Sequence, residues 1–162
     1  MVLVAPALSG CGSSGLRPLY GAAGIGAQAN EKLASVEVVP IPGRVGQVIR
    51  NELIFQTTSG GNPAPTAYQL DIAVRETVTS TLVRPDGDAR SQIYNIDASF
   101  KLIRVSDKQV VLTGTSFGRA CFERFSSIFS NVRARQDAED RAARTVAEDL
   151  KARLSAYLAG AA

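Results

Sequence analysis

The residues best suited to covalent chemistry lie near the N-terminus, where Leu8, Ser9 and Gly10 lead into Cys11. An apolar run, residues 2–8, precedes the two small residues and the cysteine. Gly12, Ser13, Ser14 and Gly15 follow, with no apolar side chain before Leu16. A thiolate is a strong nucleophile and can take up a diacylglyceryl group on sulfur. Small residues just ahead of it let a peptidase close on the backbone and cut there. This order of residue types is the signal that marks bacterial lipoproteins, so Cys11 is expected to become the acylated first residue of the mature chain. A secretory signal normally has a basic start and an apolar core of about 7–15 residues. Here the apolar run is short, Pro6 interrupts it and no Lys or Arg precedes it. A basic, apolar extension encoded in frame upstream of Met1 is therefore expected.

No other residues form a catalytic constellation. The chain has no His, which excludes a His-based triad and any His-containing metal site. Cys121 has no base beside it in sequence; set among Phe117, Ala120, Phe122 and Phe125, it is expected to be a buried thiol behaving as a small hydrophobe. Acylation of Cys11 would leave Cys121 without a disulfide partner. The Gly-rich tract lacks the Lys-Ser/Thr of a phosphate-binding loop. Asp86 and Asp88 belong to a Pro-Asp-Gly-Asp turn, and turn formation accounts for them. Neither enzymatic activity, a cofactor nor a metal is expected.

The elements that must position any binding residue follow from composition and periodicity. An apolar fraction of 45% supports one packed domain, whereas aromatic residues make up 6% and Trp is absent, which argues against stacking-based recognition of nucleic acid. No stretch approaches the roughly 18 apolar residues of a membrane span. The net charge of +3 is uneven: residues 101–135 hold seven basic side chains (Lys101, Arg104, Lys108, Arg119, Arg124, Arg133, Arg135) and two acidic ones, Asp107 and Glu123. Such a bias suits an anionic partner such as lipid phosphate, or is a solvated basic surface with no partner.

Residues 1–10 read as the remnant of a signal peptide and residues 11–34, rich in Gly and Ala, as a lipidated flexible tether. Residues 35–162 read as the folded domain. Val36 and Val38 alternate around Glu37 in a short strand. A helix then opens at Arg44, with Val45, Ile49 and Leu53 on one face and Val48 beside them. Three strands follow. Tyr68, Leu70, Ile72 and Val74 share a face in the first, and Tyr94, Ile96, Ala98, Phe100 and Leu102 in the second; the third spans residues 109–121. The turns at Pro85-Asp86-Gly87-Asp88 and Ser106-Asp107-Lys108 make them an antiparallel meander. Residues 131–158 return to helical spacing through Ala138, Ala142, Val146, Leu150 and Leu154, with Ser130 or Asn131 as N-cap and Gly160 as the stop. The expected fold is α+β: a two-layer sandwich in the order β-α-β-β-β-α, two helices packed on one face of a four-stranded sheet.

Several segments taken together resemble a known family. The cysteine signal at Leu8–Cys11 is followed by Arg17-Pro18-Leu19-Tyr20-Gly21, by Gly46-Gln47-Val48-Ile49-Arg50-Asn51-Glu52-Leu53, by Tyr68-Gln69-Leu70-Asp71-Ile72, and by the Ala-rich Gln136-Asp137-Ala138-Glu139-Asp140-Arg141-Ala142-Ala143. Their order and spacing resemble LptE, the lipopolysaccharide-assembly lipoprotein, in its alphaproteobacterial form, from Cys11 to the C-terminus. The resemblance implies anchoring in the inner leaflet of the outer membrane, a seat as a plug inside the LptD β-barrel, help in assembling that barrel, and binding of lipopolysaccharide. Gly12, in place of Asp after Cys11, fits passage to the outer membrane.

By position alone, Arg84 and Arg90 flanking one turn and Arg104 and Lys108 flanking the next are candidates to pair with lipopolysaccharide phosphates. Solvated turn residues without a ligand are the alternative for each of them. At the level of function the alternative is a periplasmic lipid carrier. That role would need an apolar groove for acyl chains, and the single apolar face of each strand and helix leaves little surface for one.

Overall fold

A computed structural model describes residues 25–58, 64–83 and 89–160. An N-terminal helix, Ile25–Ala34 (α1), leads into a short strand, Val36–Val38 (β1), and then the helix Arg44–Thr58 (α2). Three strands, Tyr68–Val83 (β2), Ala89–Arg104 (β3) and Val110–Glu123 (β4), lead into the long closing helix Ile128–Gly160 (α3). The sheet has four strands in the order β1-β2-β3-β4. β2, β3 and β4 pair antiparallel, as the two turn signals require, while β1 lies parallel to β2 over Val36↔Tyr68 to Val38↔Leu70. A parallel pair needs a crossover, and α2 supplies it. The α+β sandwich expected from periodicity is the fold observed, with one helix added.

The added helix corrects the expectation for residues 25–34, whose Gly and Ala content reads as tether. Asn30, Glu31, Lys32, Leu33 and Ala34 contain good helix formers. What settles the outcome is tertiary: Leu33 is buried in the core, and Lys32 Nζ donates to the Leu158 carbonyl at 3.3 Å, fastening α1 to the far end of α3. Ser35 ends the helix by bonding back to the Lys32 carbonyl from both its N–H (3.1 Å) and its hydroxyl (2.6 Å).

The core lies between the helices and one sheet face. Val45, Ile49 and Leu53 of α2 meet Ala138, Ala142, Val146, Leu150, Leu154 and Leu158 of α3 over Leu70, Ile72, Tyr94, Ile96, Ala98, Phe100 and Leu102 of the sheet. These are the stripes and strand phases that the periodicity defines. Gly43, at φ +86°, turns the chain into α2 in a conformation that L side chains rarely adopt.

Two local expectations are overturned. Cys121 is exposed, and so is Phe117. In β4 the inward residues are Ser116, Gly118, Ala120 and Phe122. The helix α3 comes so close to Gly118 that a Cβ there would land on the Ala142 carbonyl oxygen. At this crossing only a small residue can face the helix, so Phe117 points the other way, and strand alternation carries Cys121 to the same outer face. The start of α3 also differs. It begins at Ile128, three residues earlier than expected, with Ser127 as its cap: the Ser127 carbonyl accepts from Asn131 N–H at 3.1 Å and its hydroxyl from Ser130 N–H at 3.5 Å. No helix among the described residues is long and apolar enough to cross a membrane.

Candidate interaction surfaces

Of the sequence-derived candidates, Cys11 and Arg84 lie outside the described residues, as do Arg17 to Gly21 and the turn at 85–88. The remaining three do not form one site. Arg90 is the second residue of β3 and Arg104 its last. The fourteen residue steps from one to the other span about 46 Å at the rise of an extended strand. Arg90 and the pair Arg104 and Lys108 therefore belong to opposite ends of the sheet. At its end, Arg104 Nη1 is 3.1 Å from Asp107 Oδ2, and this neighbouring charge raises the already high pKa of the guanidinium. Lys108 is exposed and stands at φ 56°, where the turn reverses. Asp107 Oδ1 also accepts from Gln109 N–H at 3.2 Å, so the acid of this turn is engaged in shaping it.

Among the described residues nothing covers the sheet face away from the helices. Residues in register across it include Asp71, Lys101 and Thr113; Ala73, Ser99 and Thr115; Arg75, Asp97 and Phe117; and Thr77, Asn95 and Arg119. Asp71 stands opposite Lys101 and Arg75 opposite Asp97, the arrangement that favours antiparallel pairing of unlike charges. This face is polar, rich in hydroxyls and balanced in charge. The basic excess of residues 101–135 is thus not gathered on it. Lys101 and Arg119 lie on the open face, Arg104 and Lys108 at one end, and Arg124 and Arg133 toward the other. A shallow groove of roughly 500 Å³ crosses the face between Asp71, Ala73, Ser99, Lys101, Thr113 and Thr115. Phe100 and Gly114 complete its lining, which mixes apolar surface with hydroxyl and charged groups.

A polar network that periodicity did not reveal lies beneath the sheet. Glu139 is buried within the apolar stripe of α3, where Arg44 and Arg135 both donate to it, the latter at 2.9 Å. Arg44 also reaches Asp140 at 3.0 Å. Its pKa is raised first by the bond to Glu139, against desolvation, with Asp140 adding to the rise. Close by, the buried Tyr94 hydroxyl donates to Glu76, and burial, followed by that bond, pushes its pKa well above the ordinary phenol value. The one sequence signal was an acid adjoining Ala138 in an Ala-rich stripe. Its partner, 95 positions away on α2, could not be read from spacing. These groups join helices to one another and to the sheet, with no nucleophile among them. Among the described residues no three His, Cys, Asp or Glu side chains converge as metal ligands would.

Comparison with known proteins places this architecture. A candidate lipoprotein from Caulobacter crescentus CB15 shares the fold at a TM-score of 0.70 and 22% identity, over 85% of this chain and 99% of its own. A minor lipoprotein from Acinetobacter baumannii is similar at a TM-score of 0.57 and 9% identity, over 76% and 92% of the two chains. Rare lipoprotein B from Shewanella oneidensis is similar at 0.51 and 8%, over 73% and 94%. No curated protein sequence matches. The sequence profile described as lipopolysaccharide-assembly, LptE, matches residues 33–154, from the end of α1 to the last turns of α3. The chain therefore belongs to the LptE family of lipopolysaccharide-assembly lipoproteins.

Proposed function

We propose that this protein is a non-enzymatic lipoprotein subunit of lipopolysaccharide export. In this reading it is anchored through Cys11 to the periplasmic face of the outer membrane, sits in an LptD-like β-barrel as its plug, and assists assembly of that barrel. The family match over residues 33–154 carries the reading. The uncovered sheet face supports it, because the lumen of an outer-membrane barrel is polar and a polar, charge-balanced surface meets it without burying unpaired charge. Acylation raises the local concentration of the domain beside its partner, so modest contacts suffice. The core-facing apolar stripes of β2, β3, α2 and α3 pack on one another, which favours this role over that of a carrier enclosing acyl chains between sheet and helices. Affinity purification of the tagged protein from membranes tests it. Co-purification of a large β-barrel protein is the expected result; recovery of the protein alone from a soluble fraction would favour the carrier.

A further inference from the structure

Four large apolar side chains are exposed where β4 gives way to α3: Phe125 at 50%, Ile128 at 82%, Phe129 at 74% and Val132 at 49%. They serve no core. The buried run of α3 begins at Ala138, with Ala134 partly covered, so the first turns of the helix extend past the packed layer. Helical spacing sets Ile128 beside Val132, and Phe129 beside Val132 and Arg133. Phe125 is pinned to the same tip, because its N–H donates to Asn131 Oδ1 at 2.6 Å and its carbonyl accepts from Asn131 Nδ2 at 2.8 Å. The cluster is therefore presented on a capped helix end, not on a loose loop. Arg124 and Arg133 flank it, both exposed and in no ion pair among the described residues. Between Arg119 and Arg135 the sequence has one acid, Glu123.

Apolar side chains at a helix tip bordered by arginines match the chemistry of a bilayer interface, where an apolar face enters the headgroup–acyl boundary and cations pair with lipid phosphate. Four partly exposed side chains fall short of the about 800 Å² per partner that a stable protein contact buries. We infer that the tip formed by Phe125, Ile128, Phe129 and Val132, with Arg124 and Arg133, docks on a bilayer containing anionic phospholipid. This contact is separate from the acylated cysteine and from the seat in a barrel, and it would hold the body at a set angle to the membrane.

The test uses the full chain carrying Cys11→Ser, so that no acyl group contributes, in co-sedimentation with vesicles. One vesicle set is phosphatidylcholine alone and the other contains added phosphatidylglycerol. The chain is expected to sediment with the anionic vesicles and to be released by salt. Ile128→Ser with Phe129→Ser, on exposed positions that leave the fold intact by circular dichroism, should reduce binding about tenfold or more. Arg124→Ser with Arg133→Ser should reduce it at least fivefold on anionic vesicles and leave phosphatidylcholine unaffected. Equal sedimentation of the parent chain and the Ile128/Phe129 variant would overturn the proposal. So would a dimer in ultracentrifugation that the same variant dissociates while vesicles go unbound, since the tip would then join two copies of the chain.

Discussion

Arg44, the first residue of α2, donates from Nε to Glu139 Oε2 at 3.2 Å, while Arg135 holds the other oxygen of that carboxylate. The Glu139 side chain is 11% exposed, whereas that of Arg44 is 46% exposed. The guanidinium is therefore the solvated partner and the carboxylate the one that depends on the pair.

Removing Arg44 leaves a buried carboxylate with only Arg135 to satisfy it. Arg44→Ala is expected to lower unfolding stability by about 1–2 kcal/mol, the range for hydrogen bonds to charged groups after allowance for the exposed partner. A double-mutant cycle with Glu139→Ala should give a coupling of about 1 kcal/mol by urea denaturation. Additive effects would mean that the pair does not join the helices.

The inward small residues of β4 set the distance of α3 from the sheet. Gly118→Ala would drive a methyl group into the Ala142 backbone and to 2.8 Å from Val146 Cγ2. Overpacking of this kind costs about 1–3 kcal/mol. Ser116 is fully buried and its hydroxyl has no partner among the described residues. Ser116→Ala should therefore leave stability unchanged or raise it by up to about 1 kcal/mol. Thermal melting of the two variants should move in opposite directions or, at the least, differ clearly.

Tyr94 gives the protein an alkaline dependence. Its folded-state pKa is raised by burial and by the bond to Glu76, while the unfolded chain releases that proton at about 10. Stability is thus fully retained below about pH 10 and falls above it, because there the folded state binds more protons than the unfolded one. The parent chain should lose up to about 1.4 kcal/mol per pH unit more than Tyr94→Phe over that window. Ultraviolet difference titration of the parent against Tyr94→Phe should show the Tyr94 phenol failing to ionise until the fold is lost.

Cys121 faces outward in register with Ile93. In the Cys11→Ser chain it should react with a charged maleimide without unfolding, to completion in native buffer as fast as in denaturant. If the open face lies against a barrel wall, the same residue should become protected in the purified complex. Slow labelling of the isolated domain would contradict the outward placement.

The two cationic pairs should behave differently toward lipopolysaccharide. With about 46 Å between the ends of β3, one headgroup meets one end only. Arg84→Glu with Arg90→Glu is expected to weaken binding about tenfold at low salt, and Arg104→Glu with Lys108→Glu less than about twofold, because Arg104 already pairs with Asp107. Fluorescence titration separates these outcomes, and a dominant effect at Arg104 and Lys108 would reverse the assignment.

Much of this protein is dictated locally. Period-two alternation from Tyr94 to Leu102 marked the buried face of β3, helical spacing from Ala138 to Leu154 marked that of α3, and the Asp107 turn set the order of the meander. In each case one uninterrupted pattern admits one phase. Tertiary structure decided the rest wherever the local signal was divided. In β4, Phe117, Ala120, Cys121 and Phe122 suit either phase, and the close approach of α3 at Gly118 chose between them by volume, not hydrophobicity. Residues 25–34 carry both linker and helix composition, and burial of Leu33 against the body resolved them. Glu139 breaks an apolar stripe for a partner on another helix, and a contact at that separation exists only once the chain has folded.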